Sequence, residues 1–135
     1  MSLTQEEKAL FILLRAGLWE RDIDDLSAFP LSAEQWKELY KTADKQTVAG
    51  IVFRGLMRRP EDYLPGEMEI VRWAAKADSI ERNNLKMNSA LSSLMNLMTG
   101  NGLHPVVLKG QGVASFYEDP LLRVCGDADI SFSVA

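Results

Sequence analysis

The sequence has one cysteine and one histidine. A single cysteine excludes an internal disulfide and favours a reducing compartment. A single histidine excludes a His-rich metal cluster, and His104 stands beside Pro105 with no histidine partner. No serine lies in a nucleophile-elbow pattern. No tract of five or more basic residues occurs, and the formal net charge is −4. Binding to a nucleic-acid backbone through bulk charge, duplex DNA or RNA included, is therefore disfavoured. A local acidic site that takes a nucleotide through a divalent cation is compatible with that charge. The longest apolar stretches fall well short of the ~20 residues that a membrane span needs. The N-terminus, "MSLTQEEKALFILLRAGL", carries glutamates where a signal peptide would be basic. These absences predict a soluble, cytoplasmic protein without a membrane partner.

What is present is a chain of 135 residues, 47% of them hydrophobic, enough for one domain with a core. Thr4 and Glu7 form a capping box, and Leu10, Phe11, Leu13, Leu14 and Leu18 give the first helix, with Gly17 marking its end. Ser32 and Gln35 form a second box. Trp36, Leu39, Tyr40 and Ala43 then share a face, and a break near Asp44 precedes a further apolar run from Val48 to Met57. "RRPEDYLPGE" reads as a loop.

From about Glu67 to Met98 the pattern is one long helix. Ile70, Trp73, Ala77, Ile80, Asn84, Met87, Leu91, Leu94 and Met98 recur at alternating steps of three and four, so they form one stripe. Asn84 is its polar member. We read it as an asparagine near the core with satisfied hydrogen bonds, ahead of a role in partner or register choice.

"GNGLHP" ends the helix and the texture changes. "VVLKG" reads as a strand, "GQGVASFYE" as a short helix opened by glycines, "DP" as a turn and "DADISFSV" as a strand. The expectation is an α+β fold, mostly helical. Residues 1–102 form a helical region, and 103–135 begin a sheet-bearing core.

The carboxylates at Asp127 and Asp129 carry the chemistry. On a strand, residues two apart point to one side, so this pair converges on one cation. Oxygen ligands suit Mg²⁺ or Mn²⁺. Asp22 and Asp24 have the same spacing in an acidic connection between helices, without an upstream glycine turn, and read as solvated surface. Context separates the two pairs. Upstream of Asp127 lies "LKGQG", in which Gly110 and Gly112 either open a helix N-terminus to phosphate or permit a tight turn and close packing. Lys109 adds a cation. Arg123 contacts phosphate or makes a structural salt bridge, the second being the reading we favour. Cys125 reads as an ordinary small core residue.

"VVLKGQGVASFYEDPLLRVCGDADISF" resembles the signature of a bacterial family of uncharacterised nucleotidyltransferases within the polymerase-β-like superfamily. The elements are Leu108, Lys109, Gly110, Tyr117, Asp119, Pro120, Arg123, Asp127, Asp129 and Ile130, within about residues 105–133. The resemblance implies a mixed sheet carrying both aspartates as metal ligands and catalytic residues. It also implies phosphate binding at Gly110 and the following helix start, Gly112 included, with Lys109 and Arg123 in support. The implied reaction is transfer of a nucleoside monophosphate from a nucleoside triphosphate to a hydroxyl acceptor. Two departures accompany it. Gln111 stands where serine or glycine is common, and residues 130–135 offer no third carboxylate. The expectation is an N-terminal part of a larger enzyme, inactive alone, whose last strand has an open edge that favours a homo-oligomer. The competing expectations are a helical protein-interaction module with a non-catalytic D-x-D remnant, and a purely structural metal site.

Overall fold

The computed structural model describes residues 2–19, 25–60, 63–117, 119–124, 126 and 128–134. The chain is mostly helical, 64%, with a small two-stranded antiparallel sheet, so the fold is α+β. The elements are α1 (Gln5–Trp19), α2 (Ala33–Lys45), α3 (Ala49–Met57), α4 (Glu67–Gly100), β1 (Leu103–Val107), α5 (Gln111–Ala114) and β2 (Ile130–Val134). They fall into two compact units, Met1–Asp78 and Ser79–Ala135, and α4 contributes to both. No helix among the described residues is long and apolar enough to cross a membrane.

In the first unit both capping boxes form. Glu7 N–H donates to Thr4 Oγ1 (3.2 Å), and Thr4 N–H donates to Glu7 Oε2 (2.9 Å). Ser32 and Gln35 exchange the same pair of bonds at 3.2 and 2.9 Å. Each box satisfies two of the N–H groups that a helix start leaves without intrahelical acceptors. Ser32→Ala is expected to cost about 1 kcal/mol, read as a lowered urea midpoint at an unchanged m-value.

Gly17 does not end α1, which continues to Trp19. Its role is packing. A Cβ on Gly17 would clash with the Ile51 carbonyl of α3, and a Cβ on Gly55 would clash with the Leu13 carbonyl of α1. The two glycines let these helices meet backbone to backbone. Around the crossing, Leu13, Leu39, Val52, Leu56 and Trp73 are fully buried. Tyr40 meets Trp73 edge-on, with ring centroids 5.0 Å apart. Lys76 holds Asp44 at 2.8 Å, tying the start of α4 to α2, and that hydrogen bond raises the Lys76 pKa. Arg59 is buried beneath Phe29, Trp36 and Tyr63, with its guanidinium 4.8, 5.4 and 5.8 Å from their ring centroids. Burial lowers its pKa to about 10. The Asp22–Asp24 pair lies outside the described residues.

In the second unit β1 pairs antiparallel with β2, in the register Leu103↔Val134 through Val107↔Ile130. The buried side of α4 includes Trp73, Ala77, Ile80, Asn84 and Leu91, as the stripe requires, but Leu94 is 43% exposed. Steps alternating between three and four have a mean period of 3.5. An α-helix of 3.6 residues per turn drifts by ~20° per heptad against that pattern, which turns the late member outward.

Candidate active site

β1 delivers the chain to Leu108 and Lys109, and the turn is made at Gly110, with φ +64° and ψ −113°. A side chain is disfavoured there because its Cβ would meet backbone. Ala114 N–H donates to the Gly110 carbonyl (2.9 Å), closing the single turn of α5. This helix is shorter than the sequence pattern suggests, covering Gln111–Ala114. A Cβ on Gly112 would stand 2.7 Å from the Val107 carbonyl, so this glycine permits close packing of α5 on the end of β1.

The returning segment is held from two sides. Asp119 caps the turn Pro120–Leu122 by accepting from Leu121 N–H (3.3 Å), and Leu122 is buried. Asn84, 3% exposed, donates through Nδ2 to the carbonyls of Leu121 (2.6 Å) and Arg123 (2.8 Å). Both of its N–H bonds therefore go to the segment that leads into the D-x-D sequence. Gln111 closes the network. Its Nε2 donates to Asn88 Oδ1 (2.6 Å) and approaches Asn84 Oδ1 (3.4 Å). Arg123 Nη1 donates to the Gly110 carbonyl (3.3 Å), and the guanidinium lies 5.7 Å from the Tyr117 ring centroid. Arg123 thus joins the glycine turn to the returning segment.

The Asp129 carbonyl accepts from Leu108 N–H (2.9 Å), one step beyond the β1–β2 ladder. Its carboxylate reaches Lys109 Nζ at 3.4 Å, with side-chain exposures of 43% and 73%. β2 begins at Ile130, so Asp129 stands at the mouth of the strand and not within it, as the sequence pattern suggested. Asp127 and Cys125 lie outside the described residues. The structure therefore brings Lys109, Gly110, Gly112, Arg123 and Asp129 into one turn-and-strand assembly. Among the described residues no group of three or more metal-ligating side chains gathers.

A family model for an uncharacterised nucleotidyltransferase matches residues 32–134. The chain belongs to that family. The match opens at Ser32, the N-cap of α2, and runs into β2, so it takes in α2, α3 and α4 as well as the glycine turn and both aspartates. No curated protein and no solved structure matches the chain.

Two residues of this turn-and-strand assembly escape the motif. Gln111 is visible only as a departure from the usual glycine turn. Asn88 has a faint signal, lying one helical turn beyond Asn84 on α4. Asn84→Leu removes both donors while leaving the two carbonyls in place. It is expected to destabilise the second unit by about 2–4 kcal/mol. Hydrogen exchange should quicken at residues 121–130 and stay unchanged across α1–α3.

Proposed function

We propose that the chain forms the metal- and triphosphate-binding part of a nucleotidyltransferase site. Asp127 and Asp129 serve as ligands to Mg²⁺ or Mn²⁺, and Lys109, Gly110, Gly112 and Arg123 attend the phosphates. One observation carries this reading. The exposed Asp129 carboxylate is fixed through its own main chain beside the glycine turn, within 3.4 Å of Lys109. A carboxylate and an ammonium at the mouth of a two-strand sheet are complementary to a cation and a polyphosphate respectively.

The donor set fits a hard divalent cation, because carboxylate oxygens are its preferred ligands. Such a cation, when bound, would neutralise charge developing on the phosphates. In the reaction the acceptor hydroxyl oxygen forms a bond to the α-phosphorus of a nucleoside triphosphate. The bond from that phosphorus to the bridging oxygen breaks, pyrophosphate leaves, and the hydroxyl proton passes to a base. The chain's own part is to orient the triphosphate. Lys109 exchanges Asp129 for phosphate oxygens, and Arg123 keeps the Gly110 carbonyl turned away from them.

On this reading residues 103–135 begin the nucleotidyltransferase core and 1–102 are its helical region. β2 is paired on one side only among the described residues, with Phe132 and Val134 exposed, which supports a homo-oligomer built through that edge. Sedimentation is expected to show concentration-dependent association that Phe132→Lys abolishes. The helical interaction module keeps one argument of its own, the exposed Leu94 and Leu97 on α4.

Calorimetric titration with each of the four nucleoside triphosphates tests the main reading. Heat that requires Mg²⁺ and vanishes with EDTA is the expected result. Silence with all four in the presence of Mg²⁺ would leave the interaction module as the better account.

A further inference from the structure

The second unit contains a cleft of about 370 Å³ that shares only Gly112 with the metal and phosphate assignments. Its walls are α4, the end of β1 and the start of α5. Its volume is at the lower end of the range of about 300–1,000 Å³ typical of small-molecule sites. One wall presents Asn88, Ser92 and Asn96, spaced four apart and hence aligned along one face of α4. Leu91, Met95 and Val107 supply apolar surface, and Gln111 and Gly112 line the side nearest the glycine turn.

None of the eight lining residues carries a charge. An ionic ligand would lose water there without meeting a counter-charge, which is unfavourable. A neutral ligand with hydroxyls or amide-like edges meets complementary groups. Asn88 Oδ1 is already occupied by Gln111, which leaves the Asn88 NH₂ to donate. Among the described residues the buried oxygen of Gln111, Oε1, meets no donor.

We propose that this cleft binds a neutral, hydroxyl-bearing ring, next to the turn assigned to the triphosphate. The assignment of its role rests on the nucleotidyltransferase reading. In that chemistry two groups share these properties, the nucleoside portion of the donor and a sugar-like hydroxyl acceptor. The apolar strip of Leu91, Met95 and Val107 suits the face of either ring, and the Asn88–Ser92–Asn96 row suits its edge.

Saturation-transfer NMR on the full chain, with the four ribonucleosides in one series and D-glucose and myo-inositol in another, tests the cleft without phosphate. Ser92→Trp fills it without replacing a residue of the Asn84–Gln111 network. Asn96→Leu is the milder variant should Ser92→Trp fail to fold by circular dichroism. The expected result is transfer to at least one ring in the wild type, weakened at least tenfold by either variant. A nucleoside signal assigns the cleft to the donor, and a signal from the sugar or cyclitol alone assigns it to the acceptor. No transfer to any ring, or transfer that both variants leave intact, overturns the proposal. Magnesium tripolyphosphate, titrated in parallel, reports the phosphate site alone. Its failure to bind the wild type would remove the nucleotidyltransferase reading while leaving the result for the cleft to stand by itself.

Discussion

Changing Asp127 and Asp129 together to asparagine is expected to abolish magnesium-dependent nucleotide binding, lowering affinity by on the order of a hundredfold or more. Asparagine preserves shape and removes the anionic oxygens that a divalent cation prefers. The fold should be little affected. Asp129 contributes to the sheet through its carbonyl, which asparagine retains, and its ion pair with Lys109 is largely exposed. On the proposed reading Lys109 faces both ligands. Without nucleotide its ammonium competes with a cation for the Asp129 carboxylate. With nucleotide, on the same reading, it would face phosphate. Lys109→Met should therefore strengthen binding of Mg²⁺ alone by a few-fold and weaken binding of magnesium triphosphate by about tenfold. Opposite signs in the two titrations are the diagnostic outcome. A change of one sign in both would show that Lys109 acts on the fold and not on the ligands.

The largest loss of stability is expected from Gly55→Ala. In an isolated helix this change is favourable by about 1 kcal/mol. Here the new methyl group would occupy the position of the Leu13 carbonyl region in α1, and backbone cannot rotate aside as a side chain can. The helices must separate, which opens gaps beside Leu13, Val52 and Leu56, all fully buried. Overpacking of this kind costs about 3 kcal/mol or more, so the packing penalty exceeds the gain in propensity. The first unit should melt some 10–20 °C lower on that basis. Gly100→Ala is the control. It sits at the end of α4 with nothing within 4 Å of a built Cβ, and it should leave the melting temperature almost unchanged.

Gly17 and Gly55 also show where sequence reading stops. A glycine late in a helical pattern has the same local signature whether it ends the helix or receives another backbone. Only the position of Ile51 on α3 decides, and that is a long-range fact. The capping boxes at Thr4 and Ser32 were legible because each is complete within four residues. The strand–helix–strand order around Gly110 was legible because each of its elements carries its own short local signal. The start of β2 was misplaced because alternation of side chains begins before the ladder does. Asp129 belongs to the alternating pattern, and the β2 strand begins one residue later. Asn84 read as a satisfied core residue from its place on the stripe, and it is satisfied. Its acceptors, the Leu121 and Arg123 carbonyls, lie far along the chain and leave no trace in the helix pattern. Gln111 was legible only as an irregularity, because its function is a contact with α4 and not a turn preference.

The aromatic side chains described above divide unevenly between the two units, and this has a spectroscopic consequence. Trp19, Trp36 and Trp73 all belong to Met1–Asp78, whereas Tyr117 is the only tyrosine in Ser79–Ala135, which has no tryptophan. Tryptophan emission therefore reports the helical crossing and is silent about the glycine turn and its aspartates. Arg59 against Trp36 and Tyr40 against Trp73 give two of the three indoles distinct surroundings, while Trp19 is 58% exposed. Unfolding followed by emission at 295 nm excitation and unfolding followed by the NMR signals assigned to the Tyr117 ring are thus measurements of the two different units. Any difference between their midpoints gives directly the thermodynamic independence of Ser79–Ala135.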